Sequence, residues 1–383
     1  MTDAPFILFR NDPAGDETLF GRPSEIVAPF GPAEFDNAWK RLQAAHEAGK
    51  WLAGYVSYEA GYLLEPKLAP LLPEGRRAPL LCMGIFDAPQ ERGIPAPADA
   101  ASNGPIYDAR ASWSFADYVK RFARLHRHLR EGDCYQGNLT FRVDAQWTGT
   151  PAAAFDALTG RQPVRYGALA SLGAGPVVLS RSPELFFEVD ADGWIETHPM
   201  KGTAPRGATP AQDERLKDFL RNDEKNQAEN RMIVDLLRND ISLISEVGSL
   251  HVPELFRIES YPTVHQMVSR VRAKLLPGLS LRRIFAALFP CGSITGAPKI
   301  RAMEILRELE TGPRDVYCGA IGWVAPGGEM RFSVAIRTIS LFAGGEAIYN
   351  VGGGVVFDST AEEEYRECLL KARFATGTVP ASS

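Results

Sequence analysis

The sequence predicts an α+β fold, and three observations carry that expectation. Short apolar or alternating runs cluster together: VRYGALASL, PVVLSRS, ELFFEVD and GWIETHP fall within residues 164–199, separated by the Gly, Pro and Asp punctuation of strands. A second cluster, AIGWV, MRFSVAIRTISLF and AIYNVGGGVV, is joined at Gly327-Gly328 and Gly344-Gly345. Tight turns that need positive φ suit paired glycines, so this cluster reads as an antiparallel meander. Helical periodicity is equally plain. Residues 115–131 put Phe115, Tyr118, Val119, Phe122, Leu125 and Leu129 on one stripe, and residues 211–240, 298–310 and 360–374 follow the same pattern. Strand clusters and helices do not alternate as βαβ units, which excludes a doubly wound sheet.

A chain of 383 residues has room for two average domains or one large one. Residues 88–114 are rich in Pro, Ala, Gly and Ser and read as a surface linker. They divide an N-terminal region, 1–111, from a larger domain, 112–376. A net charge of −5 argues against a nucleic-acid binder and against a polybasic membrane-surface protein. No apolar stretch approaches a membrane span, and the first residues, MTDAPFILFR, lack the pattern of a secretory signal. The five cysteines are scattered without a CxxC pair, so neither a zinc site nor a disulfide framework is expected, and a cytoplasmic location follows.

Several stretches bear on chemistry. Lys201 lies in the Pro/Gly-rich THPMKGTAPRG, read as a loop, where a lone lysine would ordinarily be solvated. Glu229 shares the apolar face of its helix with Met232, Ile233 and Leu236, so it needs a buried partner or a ligand. Glu364, Glu367 and Lys371 share a face of a helix that opens with Ser359 and Glu362 in capping-box spacing. Gly352, Gly353 and Gly354 precede it and would let a ligand approach the backbone closely. Carboxylates from two helices, without His or Cys clusters, would suit Mg2+. FPCGSITGAPKIRAMEIL (289–306) lacks the phosphate-loop spacing; it reads as a tight loop with an exposed Thr295 and with Pro298 opening a helix. His265 reads first as a hydrogen-bonded structural residue.

Together GDCYQGNLTFR, SRSPELFFEV, PMKGTAPRG, AENRMIVDLLRND, GSITGAPKIRAMEIL, CGAIGW, FSVAIRT and GGGVVFDSTAEEEYRECLLKA occur in an order that resembles the chorismate-utilising enzymes. That family takes in the anthranilate, aminodeoxychorismate, isochorismate and salicylate synthases. The likeness covers 112–376 and extends weakly to WLAGYVSYEAGY (51–62). It implies a β-sandwich core of large antiparallel sheets flanked by helices. It implies Mg2+ held by Glu229 and Glu367, with Glu364 acting through water, and Glu184 as general acid. Tyr317 and Arg337 would hold the enolpyruvyl carboxylate of chorismate. Gly202, Thr203, His265, Thr295, Gly352 to Gly354 and Lys371 would line the rest. Lys201 in KGT resembles the aminodeoxychorismate-forming branch, where this lysine is implicated as a nucleophile. A neutral Gln136 suits ammonia rather than water.

The same resemblance implies a separate glutamine amidotransferase supplying ammonia, since no such domain fits beside the motif region, and a separate lyase. Two other readings are an anthranilate synthase component I and a non-catalytic subunit that senses a metabolite. Against the family pattern, Ala204, Gly137 and Cys291 stand where other residues are usual.

Overall fold

A computed structural model describes residues 4–90, 105–261 and 264–382. Two large sheets form the molecule. The first orders its strands β2 (Asp16–Gly21), β1 (Phe6–Asn11), β8 (Tyr166–Ser171), β9 (Val177–Ser182), β18 (Thr338–Leu341), β19 (Glu346–Val355), β7 (Gln136–Trp147), β6 (Ile106–Ala111) and β20 (Ala381–Ser382). The short β15 (Gly296–Ala297) also pairs with β7. The second runs β12 (Met200–Pro205), β14 (Val264–Lys274), β11 (Trp194–Thr197), β10 (Leu185–Val189), β17 (Met330–Val334), β16 (Ala320–Val324), β4 (Trp51–Val56), β5 (Leu81–Phe86) and β3 (Glu25–Val27), with β13 (His251–Ser260) also on β14. Pairing between described strands is antiparallel, except for β20 on β6.

The sheets face each other across a core of small and aromatic side chains that includes Ile7, Phe20, Tyr55, Phe86, Ala168, Val178 and Ile321. Outside the second sheet pack α1 (Pro32–Glu47), α2 (Ala60–Leu64), α6 (Glu224–Ser242) and α7 (Leu281–Leu288). Outside the first pack α3 (Phe115–Glu131), α4 (Pro151–Arg161), α8 (Lys299–Leu309) and α9 (Ala361–Thr376). A small satellite cluster, Ala204, Leu220 and Met267, seats α5 (Pro210–Asn222) beside β12 and β14. The α+β expectation therefore holds, as a sandwich with helices on both outer faces. Each fully buried Leu, Ile or Phe in these layers contributes about 1.5–3 kcal/mol. None of the described helices is long and apolar enough to cross a membrane.

Several elements differ from the sequence expectation, for local reasons. The run 330–342 is not one strand of a meander. It splits into β17 and β18, which lie in different sheets, and Arg337 turns the chain between them with a φ of 50°. The helix expected over 211–240 breaks at Asp223, whose extended backbone lets its carboxylate accept the Asn226 N–H at 2.9 Å and cap α6. Pro298 caps α8 rather than opening it. The cap of α9 is Thr360 with Glu363, one residue beyond the expected Ser359 and Glu362. Within the expected linker, 91–104 lie outside the described residues, while Ile106–Ala111 form β6 against β7, burying Ile106 and Ala111.

Candidate active site

Two of the chain segments that step from one sheet to the other each deliver a functional side chain. Pro183 and Glu184 connect β9 to β10, and residues 335–337 connect β17 to β18. Strands that change sheets make the corners of a sandwich. Here the corners open on a cavity of about 790 Å3 whose walls include Glu184, Lys201, Glu229, Arg337, Glu367 and Lys371.

Lys201 reaches this cavity from a strand, not from a loop. β12 is an edge strand, where Pro205 can stand without breaking a ladder. Its pairing with β14 shifts between Met200↔Val268 and Thr203↔Gln266, so Lys201 and Gly202 together oppose Met267 alone. That is a β-bulge, a device that re-aims a side chain. Gly202 adopts a φ of 96°, which side-chain-bearing residues avoid, and a Cβ there would press within 3.1 Å of the Asn226 side chain. The Arg206 fork on Asp213, at 2.9 Å for both arms, fixes the segment that follows.

Among the described residues neither Lys201 nor Arg337 has a side-chain hydrogen bond or ion pair. Removal from water lowers the affinity of Lys201 for its proton, and the nearby Lys371 acts in the same sense, against the opposing pull of Glu229, Glu184 and Glu367. Desolvation likewise brings Arg337 down to about 10. Cations kept from water without a protein counter-ion call for an anionic guest. Glu184 shows the converse effect. It is buried, burial pushes its carboxyl up, and the hydroxyl of Ser293 donates to its Oε1 at 2.6 Å. Both groups are therefore biased toward their neutral forms.

The glycines of β19 set how closely groups approach. A Cβ at Gly354 would lie 3.1 Å from Lys201 Nζ and 3.3 Å from the Gln136 amide, and one at Gly353 would collide with Glu364. Gln136 is buried, and both polar atoms of its amide lack a protein partner. It stands beside the lysine amine, ready for a small polar guest.

The helical wall carries the acids. Glu229 comes from α6, and Glu364 and Glu367 from α9; all three line the cavity. Burial pushes the Glu364 carboxyl up, opposed by Ser359, whose hydroxyl donates to it at 2.7 Å. Burial would raise Glu367 too, but the Lys371 ammonium at 2.7 Å more than offsets this and holds it down. Lys371 also donates to the Gly352 carbonyl at 3.1 Å. The carboxylates of this wall are hard oxygen donors, a type that fits Mg2+. Glu229, Glu364 and Glu367 do not bring their ligand atoms together in one tight cluster.

Gly202, Thr203, Tyr317, Gly352 and Gly354 line the cavity with the charged residues above, but Gln136, Gly353, His265 and Thr295 do not. Neighbouring residues on a strand point to opposite faces, so Gln266 takes the cavity side of β14 and His265 turns away. His265 is fully buried, with Nε2 2.9 Å from Asp213 and Nδ1 2.9 Å from the Ser260 hydroxyl. Thr295, expected to be exposed, is fully buried, and its hydroxyl donates to the Cys291 carbonyl at 3.1 Å. Asn138, Asn226, Gln266 and Ser293 line the cavity without having been singled out in the sequence. Only Gln266 left a signal there, as the alternate-face neighbour of a histidine in a strand-like run.

The crossover and the edge bulge of this sandwich present unpaired cations opposite an acidic helical wall, a frame that suits a small anionic guest. Residues 6–377 match the family described as chorismate binding enzyme, and the chain belongs to that family. It is 42% identical over 290 residues to an aminodeoxychorismate synthase component 1 of Klebsiella aerogenes, an alignment covering 75% of this chain and 64% of that protein. It is 44% identical over 269 residues to an aminodeoxychorismate synthase of Streptomyces pristinaespiralis, covering 70% and 37%. An anthranilate synthase component 1 of Haloarcula marismortui is 42% identical over 266 residues, covering 70% and 53%. The chain thus spans roughly a third to two thirds of the length of these relatives. The solved anthranilate synthase component I of Streptococcus pneumoniae superposes with a TM-score of 0.80 at 27% identity, over 98% of this chain and 93% of that one.

Proposed function

We propose that the chain forms 4-amino-4-deoxychorismate from chorismate and ammonia. Curated aminodeoxychorismate synthases at 42–44% identity support this reading, and the anthranilate synthases among the relatives are more distant. The observation that carries the choice is Lys201, an unpaired amine of lowered proton affinity bulged toward the cavity. In this reading Tyr317 and Arg337 hold the enolpyruvyl carboxylate, the guanidinium fork matching it in shape. Glu229 and Glu367 would hold Mg2+ at the ring carboxylate, with Glu364 acting through water. When bound, the ion supplies charge stabilisation as the ring hydroxyl departs.

The neutral Lys201 amine attacks C2, both double bonds of the ring diene shift toward C4, and the C4–O bond breaks. Glu184 gives its proton to the leaving hydroxyl, which departs as water. Ammonia, positioned beside the Gln136 amide, then attacks C4. The two ring double bonds shift back, the C2–N bond breaks with its electron pair on nitrogen, and Lys201 is released as the neutral amine with both of its protons. The new C4 ammonium gives its one surplus proton to the Glu184 carboxylate. The sum is chorismate plus ammonia giving the amino product and water.

"Component 1" in the relatives' names supports a partner, read here as a glutamine amidotransferase that supplies the ammonia in the cytoplasm. Gel filtration with and without that subunit tests it; glutamine-dependent turnover by this chain alone would overturn it. For the chemistry, Lys201→Ala should lose ammonia-dependent turnover. Full turnover in that variant would refute the covalent role.

A further inference from the structure

Glu184 does not stand alone. The Ser293 hydroxyl has one proton, and the geometry directs it to Glu184 Oε1 at 2.6 Å. Cys291 Sγ lies 3.2 Å from the same Ser293 oxygen. Because the serine proton is committed to the carboxyl, the thiol must be the donor in that second contact. Burial pushes the Cys291 thiol up to about 12, which keeps it protonated. Cys291, Ser293 and Glu184 are all buried. Arg314 holds the segment in place from behind: it pairs with Glu310 at 2.7 Å and donates to the Ile294 carbonyl at 3.1 Å.

We propose that Ser293, with Cys291 behind it, is a positioning residue that sets the proton affinity and orientation of the Glu184 carboxyl. The assignment rests on the reading of Glu184 as the general acid. A hydroxyl donating to a carboxylate favours its ionised form, and a thiol donating to that hydroxyl strengthens the donation. The relay thus opposes the upward push of burial and leaves an acid strong enough to protonate a leaving hydroxyl. The other charged groups facing Glu184 are Lys201 from β12, Arg337 from the sheet crossover and Lys371 from α9; all three favour the ionised form. They stay in place when the relay is cut.

The test is the pH dependence of kcat/KM for chorismate, measured with Mg2+ and with free ammonia held constant at every pH. Ser293→Ala should move the alkaline limb, where Glu184 loses its proton, upward by about one to two pH units. Cys291→Ala should move it the same way by less, and Ser293→Thr, which keeps the hydroxyl, should restore it. An unmoved limb in Ser293→Ala beside an inactive Glu184→Gln overturns the assignment to Ser293 alone. Wild-type turnover in Glu184→Gln overturns the underlying reading of the acid, and the assignment with it.

Discussion

The strand-borne wall and the helix-borne wall of the cavity treat charge in opposite ways. Glu184, Lys201 and Arg337 sit at corners and a bulge of the sandwich, where desolvation pushes each group toward its neutral form. Glu367 and Lys371 on α9 form a partly exposed ion pair that keeps the Glu367 carboxyl ionised. Backbone that changes sheets is fixed by ladders on both sides, so it can hold a desolvated group without a counter-ion. On the helix face the carboxylates line the open cavity, Glu367 held by Lys371 and Glu364 by Ser359. In the proposed reading, this difference would separate bond-making chemistry from ion and substrate capture within one site.

Substitutions on the strand wall should therefore cost far more than substitutions on the helix wall. Lys201→Ala should lower ammonia-dependent turnover by roughly 10^3-fold or more while leaving chorismate binding measurable. Glu184→Gln should cost about 10^2- to 10^4-fold in kcat. Wild-type activity should fall as pH rises and Glu184 gives up the proton it must donate. On the helix wall, Glu229→Gln should raise the Mg2+ concentration needed for half-maximal rate by about 10–100-fold, with excess Mg2+ restoring most of the turnover. A loss in Glu229→Gln that no Mg2+ concentration repairs would break the division of labour.

A smaller contrast lies within β14. Gln266→Ala should raise the KM for chorismate about five- to tenfold, the cost of one hydrogen bond. His265→Ala should leave KM unchanged and lower stability by about 1–3 kcal/mol, because Asp213 and Ser260 lose a buried partner. The reverse pattern would put His265 at the substrate. Smallest of all, Thr360→Ala should remove the cap of α9 and cost about 1 kcal/mol, read as a lowered Tm.

Local chemistry made much of this legible in the sequence. The strands within 166–197 and the Gly-Gly hairpins follow from periodicity and turn residues, and the structure has them; of the α3 stripe, Tyr118, Phe122, Leu125 and Leu129 are buried while Phe115 and Val119 stay exposed. Long-range pairing was not legible. Nothing in MRFSVAIRTISLF signals that its halves belong to different sheets, because alternation persists while the partner strand changes. THPMKGTAPRG looked like a loop because Pro and Gly are strand breakers in general; at a sheet edge, with a bulge, they are tolerated. Thr295 looked exposed because polar residues among glycines usually are, yet the loop folds inward and its hydroxyl is satisfied by backbone. In the site, residue types were readable, while orientation was not: His265 and Gln266 differ by one position and face opposite ways.

The central claim is that the bulged lysine directs the product. Incubating the chain with chorismate, Mg2+ and ammonium, and identifying products by mass, tests it directly. The account predicts 4-amino-4-deoxychorismate, with no pyruvate released, and loss of that product in Lys201→Ala. Anthranilate with an equivalent of pyruvate, or an unchanged yield from Lys201→Ala, would contradict it.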